Sequence, residues 1–101
     1  MRTVSNLFSL DGRIYMYLAS KNICDLFLKN AETEGFSFGD GVKPTEREST
    51  DIIALNRDWT INYVGWVGHN LFHNPEAKDG KQLIRVDYGK YLAGRDDYLI
   101  L

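Results

Sequence analysis

The sequence predicts an α+β domain: a mainly antiparallel sheet of three to five strands with one principal helix packed on one face, in the order β-α-β-β-β. Three observations carry this. One segment repeats its apolar residues at spacings of three and four, several others alternate with a period of two, and the links in the second half are short turns suited to antiparallel neighbours. With 101 residues, 44% hydrophobic and 26% charged, residues 1–101 are expected to form one compact domain around one core. A chain of this size does not enclose a deep cavity, so a small-ligand site would be a surface cleft or lie between subunits.

The first strand is read from "LDGRIYMYL", where Ile14, Met16 and Leu18 alternate with Arg13, Tyr15 and Tyr17. Asp11-Gly12 is a favoured hairpin turn, which makes the preceding "TVSNLFSL" a candidate partner strand. The helix is "SKNICDLFLKNAETEG". Ser20 is placed to cap it, Ile23, Leu26, Phe27, Asn30 and Ala31 recur at helical spacing, and Leu26, Phe27 and Ala31 are expected to face the sheet. Gly35 suits the left-handed residue that ends a helix, and Phe36 can fold back on the last turn. Glu32 and Glu34 oppose the macrodipole there, so tertiary packing is expected to hold this helix.

"DIIALN" and "WTINYVGWVG" read as two further strands joined around Asn56-Arg57-Asp58, with Trp59, Ile61 and Tyr63 on one face. "LIRVDY" at 83–88 alternates again, after a turn at Asp79-Gly80. "YLAGRDDYLIL" suits either an edge strand or a docked tail. One helix covers part of a sheet, which leaves a second face presenting Tyr15, Tyr17, Asn62 and Arg85 to solvent, a partner or a ligand.

The formal charge of -2, with acids and bases interspersed, gives no whole-chain attraction to nucleic acid or anionic membrane. Cys24 is the single cysteine, which excludes an internal disulfide and fits a reducing compartment; its apolar-periodic position reads as a buried structural thiol. The opening "MRTVSNLFSLDGR" lacks a sustained apolar h-region, and no window approaches the length of a membrane span. A cytoplasmic location in a bacterial host cell is expected, with no membrane partner.

Catalytic signatures are weak. His69 and His73 stand at i and i+4 in "GHNLFHN", a spacing that would align both imidazoles on a helix, but no glutamate follows His69 and Pro75 soon stops any helix. They read as turn or surface histidines, and no metal, cofactor or catalytic residue is assigned. No nucleophile-elbow sequence is present, and Asp96-Asp97 in a strand would point to opposite faces.

Binding chemistry is better represented. Tyr15 and Tyr17 share a strand face flanked by Arg13 and Arg85, and Trp59, Tyr63 and Trp66 fall within eight residues. Tyr, Trp and Arg are the residue types that dominate protein interfaces. In "GFSFGDGVKPTEREST" the glycines follow a helix rather than a strand and Lys43 precedes Pro44, which fails the P-loop pattern. The dinucleotide pattern fails at Pro44 as well. The loop keeps Asp40, Lys43 and Arg47 as contact candidates, beside Tyr15, Tyr17, Trp66 and Arg85.

"DLFLKNAETEGFSFGDGVKPTERE" followed by "DIIALNRDWTINYVGWVGH" resembles, over most of the chain, small uncharacterised proteins of Firmicute phages and integrative mobile elements. The resemblance carries no catalytic residues. It implies counter-defence company: small accessory proteins that bind host proteins or nucleotide signals of bacterial immunity. The leading expectation is therefore a non-enzymatic inhibitor of a host protein such as an antiviral, CRISPR-type nuclease effector. The alternatives are a nucleotide-signal sponge, oligomeric so that subunits enclose the ligand, with Trp66 on a base and Lys43 or Arg47 on phosphate, and a sheet-face binder of RNA or single-stranded DNA.

Overall fold

The computed structural model describes residues 2–73 and 83–100. The strands are β1 (Arg13–Tyr17), β2 (Ser37–Phe38), β3 (Ile52–Leu55), β4 (Thr60–Tyr63) and β5 (Leu83–Asp87), and the helices are α1 (Lys21–Glu34), α2 (Gly65–His73) and α3 (Tyr88–Leu92). Short 3-10 helices cover Ser5–Ser9 and Pro44–Glu46. The α+β class is as expected. The sheet order is β2-β4-β3-β1-β5, with β1-β3 and β3-β4 antiparallel and the flanking β1-β5 and β2-β4 pairs parallel.

Local chemistry sets α1. The Ser20 hydroxyl accepts the Ile23 amide at 3.2 Å, and Gly35 ends the helix at φ 101°, a conformation that costs an L side chain about 1 kcal/mol or more. The Phe36 amide then reaches back to the Ala31 carbonyl at 2.9 Å, and the Phe36 ring is buried. Phe27, Leu28 and Ala31 are buried against Ile14, Met16, Ile53, Leu55, Ile61, Ile84 and Val86, the inward residues of β1, β3, β4 and β5. Leu26, expected on that face, is instead 44% exposed. The buried arc is rotated toward Leu28 and the half-buried Cys24, over which residues 45–49 lie.

Three other expectations are corrected and a fourth is refined. "TVSNLFSL" is no strand: its amides at Val4 and Ser5 are taken by the Glu34 carboxylate at 2.7 and 2.9 Å, which starts a 3-10 helix instead, and Asp11-Gly12 is a link rather than a hairpin. "WTINYVGWVG" ends as a strand at Tyr63, because Gly65, at φ 63°, turns the chain into α2. Trp59 is not in β4. It occupies the left-handed position of the β3-β4 turn at φ 67°, strained for a bulky residue, and its ring lies 4.8 Å from that of Phe36 and 5.8 Å from Phe8. "YLAGRDDYLIL" begins within α3, and its last part pairs antiparallel beside β5 through Asp87 N–H to Tyr98 O and Ile100 N–H to Arg85 O, both 2.8 Å. The turn expected at Asp79-Gly80 lies outside the described residues.

The largest departure concerns the second sheet face. All four residues of β3 are buried, so both of its faces are covered. Tyr15, Ile52, Ala54 and Phe72 form a second buried cluster, with Tyr17, Val64, Leu83 and Ile100 packed partly against it. Phe72 belongs to α2, which lies over this face. The expected open platform is therefore roofed.

Candidate interaction surface

α2 builds the site. Its inward side presents Gly68 and Phe72, one helical turn apart and both buried. The Phe72 ring lies 6.0 Å from that of Tyr17, and Arg85 of β5 donates to the Phe72 carbonyl at 3.0 Å while its guanidinium sits 5.6 Å over the same ring. A carbonyl in the last turn of a helix is short of a partner, so this arginine also acts as a C-terminal cap. Gly68 is required by close approach: a Cβ there would meet the Val64 side chain at 2.4 Å.

The outward side of the same helix carries Trp66, Asn70 and His73, all exposed and spaced as neighbours along one stripe. Trp66 is 79% exposed, the most exposed large apolar side chain among the described residues. His69 lies between the two sides. Its Nδ1 is 2.8 Å from the Gly65 carbonyl and its Nε2 is 2.9 Å from Asp51 Oδ1 at the entry to β3. The hydrogen bond to Asp51, with the contact to Gly65, raises the imidazole above its ordinary value of 6.5. The nitrogen that does not face Asp51 is turned to the Gly65 carbonyl rather than to a nucleophile, so this His-Asp pair lacks the geometry of a triad.

The seven sequence candidates thus separate. Tyr15 is 8% exposed, Tyr17 and Arg85 are half-buried, and all three lie by Phe72 of α2 rather than on an open face, Tyr15 in its cluster and Tyr17 and Arg85 against its ring. A sheet-face binder of RNA or single-stranded DNA requires that face bare, and α2 occupies it. In the 35–50 loop, Arg47 donates to Asp40 at 2.5 Å and stacks 4.8 Å over the Phe38 ring, while the Tyr63 hydroxyl donates to the Glu48 carbonyl at 2.6 Å. The Arg47 hydrogen bond holds the Asp40 carboxyl below its ordinary value. Thr45 gives both its amide and its hydroxyl to Glu32, at 3.1 and 2.6 Å. The loop therefore spends Asp40 and Arg47 on its own conformation, leaving Lys43 exposed.

Between α1 and this loop runs an open groove of about 780 Å³. Lys21, Lys29 and Arg47 line it together with Asp25, Glu46 and Glu48, so its walls have no preferred sign of charge. Cys24 also lines it, with Sγ 3.8 Å from the Thr50 carbonyl. Among the described residues, no group of three or more His, Cys, Asp or Glu is arranged to hold a metal ion, and no helix is long and apolar enough to cross a membrane.

Compared with protein-family models, curated proteins and solved structures, the chain has no significant match.

Of the contact residues, Trp66 was legible from the sequence and remains available. Asn70 and His73 carry no contact role in the sequence reading, because 59–68 reads as a strand and "GHNLFHN" as a turn or surface stretch. The signal for them is the i, i+4, i+7 spacing from Trp66 after Gly65, which becomes visible once the strand is ended at Tyr63.

Proposed function

We propose that this chain is a non-enzymatic binding protein that docks another protein on the outward side of α2, with Trp66 as its anchor and Asn70 and His73 beside it. The observation that carries the reading is the 79% exposure of Trp66 on a helix whose opposite side is fixed to the sheet. An indole left this open exposes roughly 150 Å² of mostly apolar surface, whose transfer from water contributes about 4 kcal/mol. Anchors of this kind, presented by a rigid element, dominate protein interfaces. The resemblance to small proteins of Firmicute phages and integrative elements supports a bacterial host protein as the partner, such as an antiviral nuclease effector, and inhibition by occlusion as the consequence.

The nucleotide-sponge alternative has less to support it. Arg47, one of its phosphate ligands, is already engaged by Asp40, and the adjacent groove brings three carboxylates with its cations.

The test is capture from a Firmicute lysate with the parent chain, Trp66→Ala and Lys43→Ala as baits. One protein retained near stoichiometry by the parent and by Lys43→Ala, and lost with Trp66→Ala, is the expected result. Retention by Trp66→Ala as strong as by the parent, or no stoichiometric protein on any bait, refutes it. A rise in melting temperature with a cyclic or linear nucleotide would favour the sponge instead.

A further inference from the structure

We propose that His69 is a proton-operated latch that holds α2 against the sheet, closed when the imidazole is doubly protonated and loosened when it is neutral. The geometry carries it. An imidazolium is a donor at both nitrogens, and here both nitrogens face acceptors, the Gly65 carbonyl at 2.8 Å and the Asp51 carboxylate at 2.9 Å. A neutral ring has one N–H. Whichever tautomer it takes, one of the two contacts becomes lone pair against lone pair, and the contact with Asp51 loses the attraction of imidazolium for carboxylate.

The latch is set where it has leverage. Val64 alone separates β4 from α2, and Gly65, at φ 63°, supplies the bend. From there α2 is tied to the rest of the fold by Phe72 in the second cluster, by Arg85 of β5 at its far end, and by His69 to Asp51 of the β3 entry. Among the described residues, the titratable and charged groups that face the helix are Asp51 just ahead of β3, Tyr15 and Tyr17 of β1 and Arg85 of β5, with His73 one turn along α2 itself. Of the groups joined at this contact, the imidazole is the side-chain type that gains or loses a proton around neutral pH, so His69 is the member that changes charge.

The sign follows from the raised imidazole. Its contribution to the docked helix is fully present below the ordinary value of 6.5 and is lost as pH rises through the higher folded value. Because α2 also carries Trp66, the latch would set the posture of the surface proposed above. That consequence rests on the binding reading, whereas the latch itself does not and is tested without a partner.

The test is nitrogen NMR of the histidine rings across pH 5 to 9, with amide-exchange protection of Gly68 to His73 measured relative to α1, in the parent chain, Asp51→Asn and His69→Gln. In the parent, both His69 nitrogens are expected to be protonated at the acid end, with a midpoint above 6.5 that moves down in Asp51→Asn. Relative protection of α2 should fall about two- to fivefold across that midpoint, the size of an exposed ion pair's contribution. In His69→Gln, which keeps a hydrogen-bonding side chain, the fall should vanish. Protection that stays flat through the parent's titration, a midpoint at or below 6.5, or an equal fall in His69→Gln would overturn the proposal.

Discussion

Tyr15 and Arg85 are register partners across the parallel β1-β5 pair, side by side on the sheet face that α2 covers. They are held there for different reasons. The tyrosine supplies buried apolar area, and the arginine supplies a donor for the Phe72 carbonyl and a flat cation for the Phe72 ring.

Tyr15→Ala is therefore expected to act on stability. Deleting a large buried aromatic should cost about 3 kcal/mol, seen as a lower urea midpoint with an unchanged slope. Arg85→Ala should cost about 1 kcal/mol through the lost cap and leave α2 amides exchanging faster. An unchanged midpoint in Tyr15→Ala would mean that this face is open in solution.

Glu34 sits in the last turn of α1 with both carboxylate oxygens on the amides of Val4 and Ser5. Two charge-assisted bonds to backbone donors at the start of another helix should make Glu34→Ala cost about 2 kcal/mol. Glu34→Gln keeps one acceptor and should fall between it and the parent. Faster exchange of the Val4 and Ser5 amides, with α1 itself little changed, is the local signature to measure.

Gly35 at φ 101° has no heavy atom within 4 Å of an added Cβ, so the cost of Gly35→Ala is conformational rather than steric. About 1 kcal/mol is expected, with Gly35→Asn milder because asparagine tolerates the left-handed region. Thermal unfolding of the two variants beside the parent checks the order.

The Asp40-Arg47 pair gives an acid-side dependence. Asp40 is lowered by Arg47 from an ordinary value of 3.8, so its contribution is complete above that value and is lost as pH falls through the depressed one. Asp40→Asn should differ from the parent at neutral pH and converge with it at the acid end, and added salt should shrink the difference because the pair is exposed. A constant offset at every pH would assign the effect to the side-chain bond with the Val42 amide instead.

Much of the α1 side of the fold was legible, because its signals are local. Ser20, Gly35, Phe36 and the Phe27-Ala31 spacing each state one turn's requirement, and the structure meets each. The second face was harder. "IIAL" in β3 is a continuous apolar run, the mark of a strand covered on both sides, yet its neighbour β1 alternates in a way that suggests one open face. The cover, α2, is short and follows a strand of similar composition, so periodicity alone did not part them at Gly65. Glu32 and Glu34 looked unfavourable at their own helix end because their partners, Thr45, Val4 and Ser5, are remote in sequence. The pairing of His69 with Asp51 is of the same kind: eighteen residues apart, with no local pattern to announce it.

The strand order also dictates when the sheet can be completed. β3 and β4 are joined by a tight turn and can pair as soon as both exist, on the microsecond scale of hairpins. β1, a central strand, bonds on one side to residues 52–55 and on the other to residues 83–87, so its second edge waits for a segment some seventy positions away. During synthesis that edge stays unpaired until β5 has emerged, and only then can the 98–100 segment close over β5 in turn. The slow step of folding should be the arrival of β5, and substitutions in β5 should slow folding more than those in the β3-β4 turn.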